Sequence, residues 1–233
     1  MTRLARVLTP AEMAGRELAR RRTALALLTV LPLAFYGASL GEPEHAVEVG
    51  GVAMAFSVSG AAIFAVLSAR EVDRRLALAG YRAWELVVGR LLLLTGFGAL
   101  VAAGFALVIV LGSAPDRPWA LVGGVQLVAA VSVPFGIAVG ALAPRELEAV
   151  LVMIAAVGIE LSLASSDAVA KALPFWGPRR MLELAVGEPG SAGAMALITL
   201  AWVVALLASA GALMAWRLRL TRPVAESGCR APS

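Results

Sequence analysis

The chain has almost none of the residues from which most active sites and metal sites are built. Its 233 residues include one cysteine, one histidine and one lysine, and charged residues make up only 15%. The single cysteine, Cys229, excludes a disulfide within the chain, and together with His45 it provides too few ligands for a His/Cys metal site. Lys171 is followed by Ala172 and has no Gly-rich loop before it, so the chain carries no phosphate-binding P-loop.

The chain also lacks the pairs of residues that enzymes within membranes use. Its only histidine belongs to the acidic stretch 41–45, between two apolar runs, so it cannot form a Ser–His pair inside the bilayer. Glu160 is the only acid deep in an apolar run, so the paired acids of an aspartyl protease are absent as well. We therefore expect no catalytic residue, metal or cofactor in this chain.

Apolar residues, by contrast, are abundant. They form 60% of the chain, and the mean hydropathy is +0.86, whereas soluble domains are about 45–50% apolar. The sequence therefore predicts an all-α membrane protein with six transmembrane helices, each near the roughly 17–25 residues that a spanning helix needs. The six apolar stretches lie at about 23–40, 47–69, 86–112, 119–143, 149–165 and 193–216.

The basic residues are unevenly distributed between the two sides that these stretches define. With the N-terminus inside, sixteen of the twenty Lys and Arg residues lie on the inner side. By the positive-inside rule this excess puts both termini in the cytoplasm, and it explains the basic charge without nucleic acid as a partner. Nineteen arginines to one lysine, with abundant alanine and glycine, are typical of a high-GC bacterium. We expect a multi-pass protein of a bacterial plasma membrane.

The chain ends are polar and flank the membrane domain, which we place at 23–216. In residues 1–22, Thr9, Pro10 and Glu12 combine an N-cap, a proline at the first helical position and a capping-box glutamate. This pattern predicts an amphipathic helix along the cytoplasmic membrane surface, the alternative being a disordered basic tail attracted to anionic lipid. Residues 217–233 are predicted to form a disordered cytoplasmic tail.

A charged segment at 68–90 separates the second and third apolar stretches. Ser68 and Glu71 form a capping box that starts a short helix, and Gly80 marks its end. An aromatic-flanked sequence then leads into the next span, Tyr81-Arg82-Ala83-Trp84-Glu85-Leu86-Val87-Val88-Gly89-Arg90. The orientation above puts this segment in the cytoplasm, with the two aromatic residues at the headgroup level.

This layout resembles the segment between the second and third membrane helices of the ABC-2 type transporter permeases. In that family the segment touches a cytoplasmic ATPase subunit, which binds ATP and Mg²⁺ itself. The resemblance implies two copies of that ATPase and a second permease subunit, identical or different, as partners. The residues that it implies as ATPase contacts are Arg70, Glu71, Arg74, Arg75, Leu76, Leu78, Arg82 and Glu85.

A second segment, at 166–192, is too apolar for a free loop and too often broken by proline for a span. It contains Leu173-Pro174-Phe175 and, a few residues later, Pro178, Arg179 and Arg180. Such a composition suits short helices that dip into the outer leaflet. It also resembles the re-entrant pair of helices that precedes the last span of ABC-2 permeases, so we expect an extracellular re-entrant hairpin here.

Two strongly polar residues lie deep within predicted spans, Glu160 and Gln126. A charged group at the membrane centre costs a few kcal/mol, so Glu160 is a functional candidate. It could pair with Arg179 or Arg180, line a substrate path or carry a proton. Gln126 is expected to form a hydrogen bond between helices rather than bind a ligand.

Small residues predict close helix packing at two places. Gly37 and Gly41, and likewise Gly136 and Gly140, form GxxxG patterns that let helices approach closely. Pro32 lies within the first predicted span and predicts a kink there.

Taken as a member of the family that it resembles, the chain is expected to be a permease subunit that exports a hydrophobic or amphipathic substrate. A haem-exporter-type permease of cytochrome c maturation is an alternative, with Met54 and Met153 as candidate ligands in the spans. A second alternative is a membrane scaffold or immunity subunit that recruits a partner without transport.

Overall fold

The computed structural model describes residues 12–13, 15–16, 19, 22–78, 80–81 and 83–220. Over these residues the chain is helical, with one 3-10 turn at Ala170–Ala172 and no strand, so the predicted all-α class is confirmed. The helices are α1 (Arg22–Ala38), α2 (Pro43–Ser68), α3 (Arg70–Leu78), α4 (Ala83–Ser113), α5 (Pro118–Leu142), α6 (Glu146–Ser162), α7 (Trp176–Ala185) and α8 (Ala192–Leu220).

Four helices in the described part of the chain are long and apolar enough to cross a membrane, so the chain has the character of a multi-pass membrane protein. These candidate spans are His45–Ser68, Trp84–Ser113, Pro118–Leu142 and Ala192–Trp216. The other two predicted spans correspond to α1 and α6, which have 17 residues each. Such helices are about 26 Å long, a little less than the roughly 30 Å hydrocarbon core.

Helix α2 lies at the centre of the bundle, where small residues let its neighbours come close. A Cβ atom added to Gly136 of α5 would lie 2.5 Å from the carbonyl oxygen of Ser59 in α2, and one added to Gly140 would lie 3.1 Å from a side-chain carbon of α2. The predicted packing face at these two glycines is therefore confirmed. Gly37 and Gly41 make no such approach among the described residues of the chain, since a Cβ atom at either would meet nothing within 4 Å.

Helix α1 runs antiparallel to α2 along most of its length. The hydroxyl of Ser57 in α2 donates to the carbonyl of Leu28 in α1. Further along, a Cβ atom at Gly50 would lie 2.9 Å from the Cβ atom of Tyr36. Residues 28 and 36 of α1 are thus level with residues 57 and 50 of α2.

The short helices α3 and α7 lie at opposite ends of α5. At the C-terminal end of α5, Arg70 of α3 donates to the carbonyl of Pro144 at 2.7 Å. At the N-terminal end, the backbone N–H of Arg117 donates to the carbonyl of Ala185, the last residue of α7, at 3.1 Å. A 25-residue helix is about 37 Å long. We refer to these two ends of the bundle as the α3 end and the α7 end.

Helix α6 runs from the α3 end to the α7 end. It begins at Glu146, directly after the carbonyl that Arg70 contacts at Pro144. Near its C-terminus, the carbonyl of Glu160 accepts a 2.7 Å hydrogen bond from Arg179 of α7. The chain therefore crosses the bundle along α6 before α7 begins.

The two predicted polar ends are described only in part. Within 1–22, the described residues before the first bounded helix are helical, and Arg16 pairs with Glu12 at 2.7 Å. The rest of the predicted surface helix lies outside the described residues. Helix α8 continues to Leu220, so it extends four residues into the predicted tail 217–233, whose later residues also lie outside the described part.

Candidate functional site

Helix α3 has two faces of different character, as its amphipathic sequence REVDRRLAL requires. Side chains spaced by three or four residues share one side of a helix. One side is exposed and mixes charge with apolar surface. It carries Glu71, Val72, Arg75 and Leu78.

The opposite side of α3 is held to α4 by a buried ion pair. Both guanidinium NH groups of Arg90 in α4 donate to Asp73, at 2.9 Å to Oδ1 and 3.1 Å to Oδ2. The side chains of Asp73 and Arg90 are only 9% and 5% exposed. A two-point contact of this kind is directional as well as strong, so it fixes the angle of α3 against α4.

The first residue of α3 also holds it to α5. Arg70 donates to the carbonyls of Pro144 at 2.7 Å, Gly140 at 3.3 Å and Ala143. These acceptors lie at the C-terminal end of α5, where carbonyls lack partners within the helix and the helix dipole favours a positive charge. Helix α3 is therefore tied to both α4 and α5.

The structure divides the predicted ATPase contacts into an exposed set and an inward set. Glu71, Arg75 and Leu78 are exposed, and Leu76 is half-buried. Arg70 and Glu85 face inward, Arg70 toward the carbonyls of α5 and Glu85 at 3% exposure. The side chain of Arg74 and the whole of Arg82 lie outside the described residues.

Sequence reasoning missed the pairing of Asp73 with Arg90. The two residues are 17 positions apart on different helices, and no periodic pattern connects them. The available signal was Asp73 itself, an acid on the side of α3 opposite to Leu78, with an arginine two turns into the next helix.

At the α7 end, Arg179 joins three helices. Its Nε donates to Oε1 of Glu48 in α2 at 2.6 Å. Its NH1 group donates to the carbonyls of Glu160 and Leu163, at 2.7 and 2.6 Å, at the C-terminal end of α6. Arg179 thus binds the end of α6 as Arg70 binds the end of α5, by a guanidinium on unpaired C-terminal carbonyls.

A second set of contacts ties the segment before α7 to α7 itself. Glu183 accepts hydrogen bonds from Arg180 and, at 3.1 Å, from the hydroxyl of Ser165. The indole N–H of Trp176 donates to the carbonyl of Ser165 at 2.8 Å. The NH2 group of Arg180 donates to the carbonyl of Pro189 at 3.0 Å. The segment from the end of α6 to the start of α8 is therefore closely held.

The carboxylate of Glu160 stands apart from these contacts. Its side chain is buried, at 2% exposure, and neither of its oxygens forms a hydrogen bond of normal geometry among the described residues; the backbone N–H of Phe175 and the guanidinium of Arg179 are polar neighbours of this carboxylate. The predicted pairing with Arg179 or Arg180 is not found, since Arg179 binds the backbone carbonyl of Glu160 and Arg180 binds Glu183. Arg179 donates to the carboxylate of Glu48 and Arg180 donates to that of Glu183, and both arginines also donate to main-chain carbonyls.

Helix α7 lies within the depth of two candidate spans. The buried side chain of Leu182 fills the space beside Gly51 of α2 and Gly124 of α5, where a Cβ atom would overlap it. These glycines lie six residues from the starts of their spans at His45 and Pro118, which is about 9 Å along each helix. Leu182 therefore sits below the ends of the spans.

Gln126, the other polar residue singled out within a predicted span, forms a hydrogen bond between two helices. The side-chain amide of Gln126 in α5 donates to the carbonyl of Ala99 in α4 at 3.2 Å. This is a hydrogen bond between two candidate spans, so the prediction is confirmed.

An apolar groove of about 210 Å³ lies between α1 and α4, beside the proline within α1. Pro32 and Leu33 form one wall, and Val101, Gly104 and Phe105 form the other. A groove with this lining suits a hydrocarbon chain better than a polar ligand.

No protein-family model matches this chain, and no curated protein matches it. Its function has to be inferred from its residues and their geometry.

Proposed function

We propose that this chain is the membrane-spanning permease subunit of an ATP-binding cassette exporter of the ABC-2 type. The observation that carries the proposal is α3, a short polar helix at one end of an apolar bundle. Its inner side is tied to α4 by the Asp73–Arg90 pair, and its outer side presents exposed charged and apolar residues. A helix that is firmly seated and exposed on one side is suited to receive a mechanical push from a partner.

The directions in which α1 and α6 run across the bundle support a six-span membrane domain. Helix α1 lies level with α2 over most of its length, and α6 returns the chain from the α3 end to the α7 end. With α2, α4, α5 and α8 as spans, a crossing by α6 is what brings α7 to the side where α8 begins. In this arrangement α3 and both chain ends are cytoplasmic, with sixteen of the twenty basic residues.

The position of α7 supports a re-entrant element on the extracellular side. Leu182 packs beside Gly51 and Gly124, about 9 Å below the span ends. Polar groups of such an element need partners inside the protein. Arg179 and Arg180 have them, in Glu48, Glu183 and main-chain carbonyls.

The proposed partners are a cytoplasmic ABC ATPase subunit and a second permease subunit, the same or a different chain. The ATPase holds ATP and Mg²⁺, and its closure on ATP pushes the exposed side of α3. The permease pair then changes between inward and outward access and exports its substrate. The apolar groove beside Pro32 favours a hydrophobic or amphipathic substrate.

The proposal is tested by co-expressing the chain with ATPase subunits encoded beside it and purifying the complex in detergent. We expect the two proteins to elute together with ATP hydrolysis. The double variant Arg74→Glu/Arg75→Glu reverses charge on α3 and should weaken the complex about tenfold or more. Arg145→Glu is the matched control, because Arg145 is an exposed arginine at the same end but not on α3.

Two results would contradict the proposal. One is a chain that purifies without any ATPase, which would favour a scaffold that recruits a different partner through α3. The other is a complex whose assembly and ATP hydrolysis are the same in the Arg74→Glu/Arg75→Glu variant and in the unmodified chain.

A further inference from the structure

The inner side of α3 carries two charged residues whose side chains bind other elements. Asp73 binds Arg90 of α4, and Arg70 binds the C-terminal carbonyls of α5. We propose that Arg70, Asp73 and Arg90, here called the α3 anchor, are positioning residues that pass a displacement of α3 directly to α4 and α5. This inference rests on the proposed function, since it concerns how the partner's push reaches the spans.

The same helix contains an ion pair of the ordinary surface kind, which shows how different the anchor is. Arg75 and Glu71 pair at 3.2 Å, with side chains that are 77% and 63% exposed. Pairs of that kind contribute little, because water screens them and holding two long side chains is unfavourable. The Asp73–Arg90 pair is shielded from water, so removing one partner leaves an uncompensated buried charge.

The Asp73–Arg90 pair of the anchor joins α3 to α4 at a point separate from the residues that connect the two helices in the chain. That connection includes Gly80, whose φ of 90° belongs to the left-handed region. Arg90 lies seven residues into α4, which begins at Ala83, and this is about 10 Å along the helix. A displacement of Asp73 therefore acts on the second turn of α4 rather than on the turn at Gly80.

Arg70 extends the effect to a second span. Its acceptors at Gly140, Ala143 and Pro144 belong to the last turn of α5 and the residues after it. They are main-chain groups, so they move only with the helix end. Because α5 reaches from the α3 end to the α7 end, a shift of its C-terminus also displaces the part of the helix at the α7 end.

The first measurement needs no ATPase. Hydrogen exchange of residues 70–78 is followed by mass spectrometry in the purified chain, unmodified and as Asp73→Asn. We expect roughly tenfold or faster exchange in the variant, since the helix loses its charged contact to α4. The charge swap Asp73→Arg/Arg90→Asp should restore most of the protection, and Arg145→Gln, which changes an exposed pair, should leave exchange unchanged.

The second measurement uses the complex with the ATPase. Asp73→Asn leaves the exposed side of α3 intact, so we expect the ATPase to co-elute while ATP hydrolysis by the purified complex falls about tenfold or more. The charge swap should recover hydrolysis. A structural defect alone would reduce assembly and hydrolysis together and would not separate them. If Asp73→Asn does not purify, Arg90→Lys keeps the charge without the two-point geometry, and an intermediate loss is expected.

The inference is overturned if exchange of residues 70–78 is unchanged in Asp73→Asn, or if the assembled variant complex keeps full ATP hydrolysis. Failure of the unmodified chain to bind any ATPase would instead overturn the proposed function. In that case the exchange experiment still decides whether the anchor holds α3 in place.

Discussion

Single residues decide how charge is accommodated in this mostly apolar chain. Arg70 and Arg179 each place a guanidinium on the C-terminal carbonyls of a neighbouring helix. Asp73 and Glu48 supply the carboxylates at the two ends of the bundle. Glu160 is the exception, a buried carboxylate that forms no hydrogen bond of normal geometry among the described residues.

Replacing Glu160 tests whether its carboxylate is needed for structure or for transport. Glu160→Met keeps a side chain of similar length and removes the buried polar oxygens. We expect the free energy of unfolding to rise by about 1–3 kcal/mol, because an unsatisfied buried polar group is unfavourable by that amount. Thermal unfolding in detergent measures the change, and Ile159→Met, at an exposed neighbouring position, is the control.

In the proposed exporter, the same variant also shows whether Glu160 has a role in transport. A more stable Glu160→Met protein with reduced export would assign it such a role, on the substrate path or as a proton carrier, whereas unchanged export would assign none. A loss of stability would contradict the prediction and show that the carboxylate is held by contacts.

Among the elements, α7 depends on two glycines of other helices. Leu182 fits only because Gly51 of α2 and Gly124 of α5 have no side chains. Gly51→Ala adds a methyl group that overlaps Leu182, so we expect a loss of about 1–3 kcal/mol of stability in chemical or thermal unfolding. Gly158→Ala in α6 is the control, since a Cβ atom there meets nothing within 4 Å and a methyl group is tolerated in a helix.

A double-mutant cycle tests whether the clash is the cause. Leu182→Ala alone leaves a cavity and destabilises the protein by about 2–5 kcal/mol. In Gly51→Ala/Leu182→Ala the new methyl group occupies part of that space, so the combined loss should be smaller than the sum of the single losses. Additive losses would mean that Gly51 and Leu182 do not share this space.

At the scale of the whole molecule, the number of spans depends on whether α1 and α6 cross the membrane, and a crossing by α6 can be tested directly. The only cysteine, Cys229, can be replaced by serine, after which single cysteines at Glu42, Asp116, Arg145 and Asp167 are labelled with an impermeant thiol reagent. All four positions are exposed in the structure. In intact cells we expect labelling at 42, 116 and 167 but not at 145. Equal labelling at 145 and 167 would mean that α6 does not cross.

Much of the fold could be predicted from the sequence because the physical causes are local. Long apolar runs predict helices in a membrane, since a backbone without water must satisfy its own hydrogen bonds. The sequence also predicted a short helix before Gly80, and α3 lies there. The predicted start is wrong, because Ser68 ends α2 and its hydroxyl donates to the carbonyl of Phe64 at 2.7 Å instead of capping α3. Gln126 could be predicted to bond between helices because an amide in a span needs a partner.

The sequence was a poor guide where an outcome depends on which helices are neighbours. The two GxxxG patterns have the same sequence spacing, yet within the described chain only Gly136 and Gly140 pack closely against another helix, whereas a Cβ atom at Gly37 or Gly41 would meet nothing within 4 Å. The expected partner of Glu160 was a nearby arginine, but Arg179 is drawn to Glu48 of α2, which is 131 residues away in sequence.

By itself, then, the sequence determined that the chain is all-α with several helices suited to a membrane, because composition and periodicity act within each helix. Tertiary structure alone decided which side of α3 is buried and that Asp73 meets Arg90. It also decided that Leu182 lies between Gly51 and Gly124. Those outcomes depend on the packing of helices that are distant in the chain, because only that packing determines which partner a charged or bulky side chain meets.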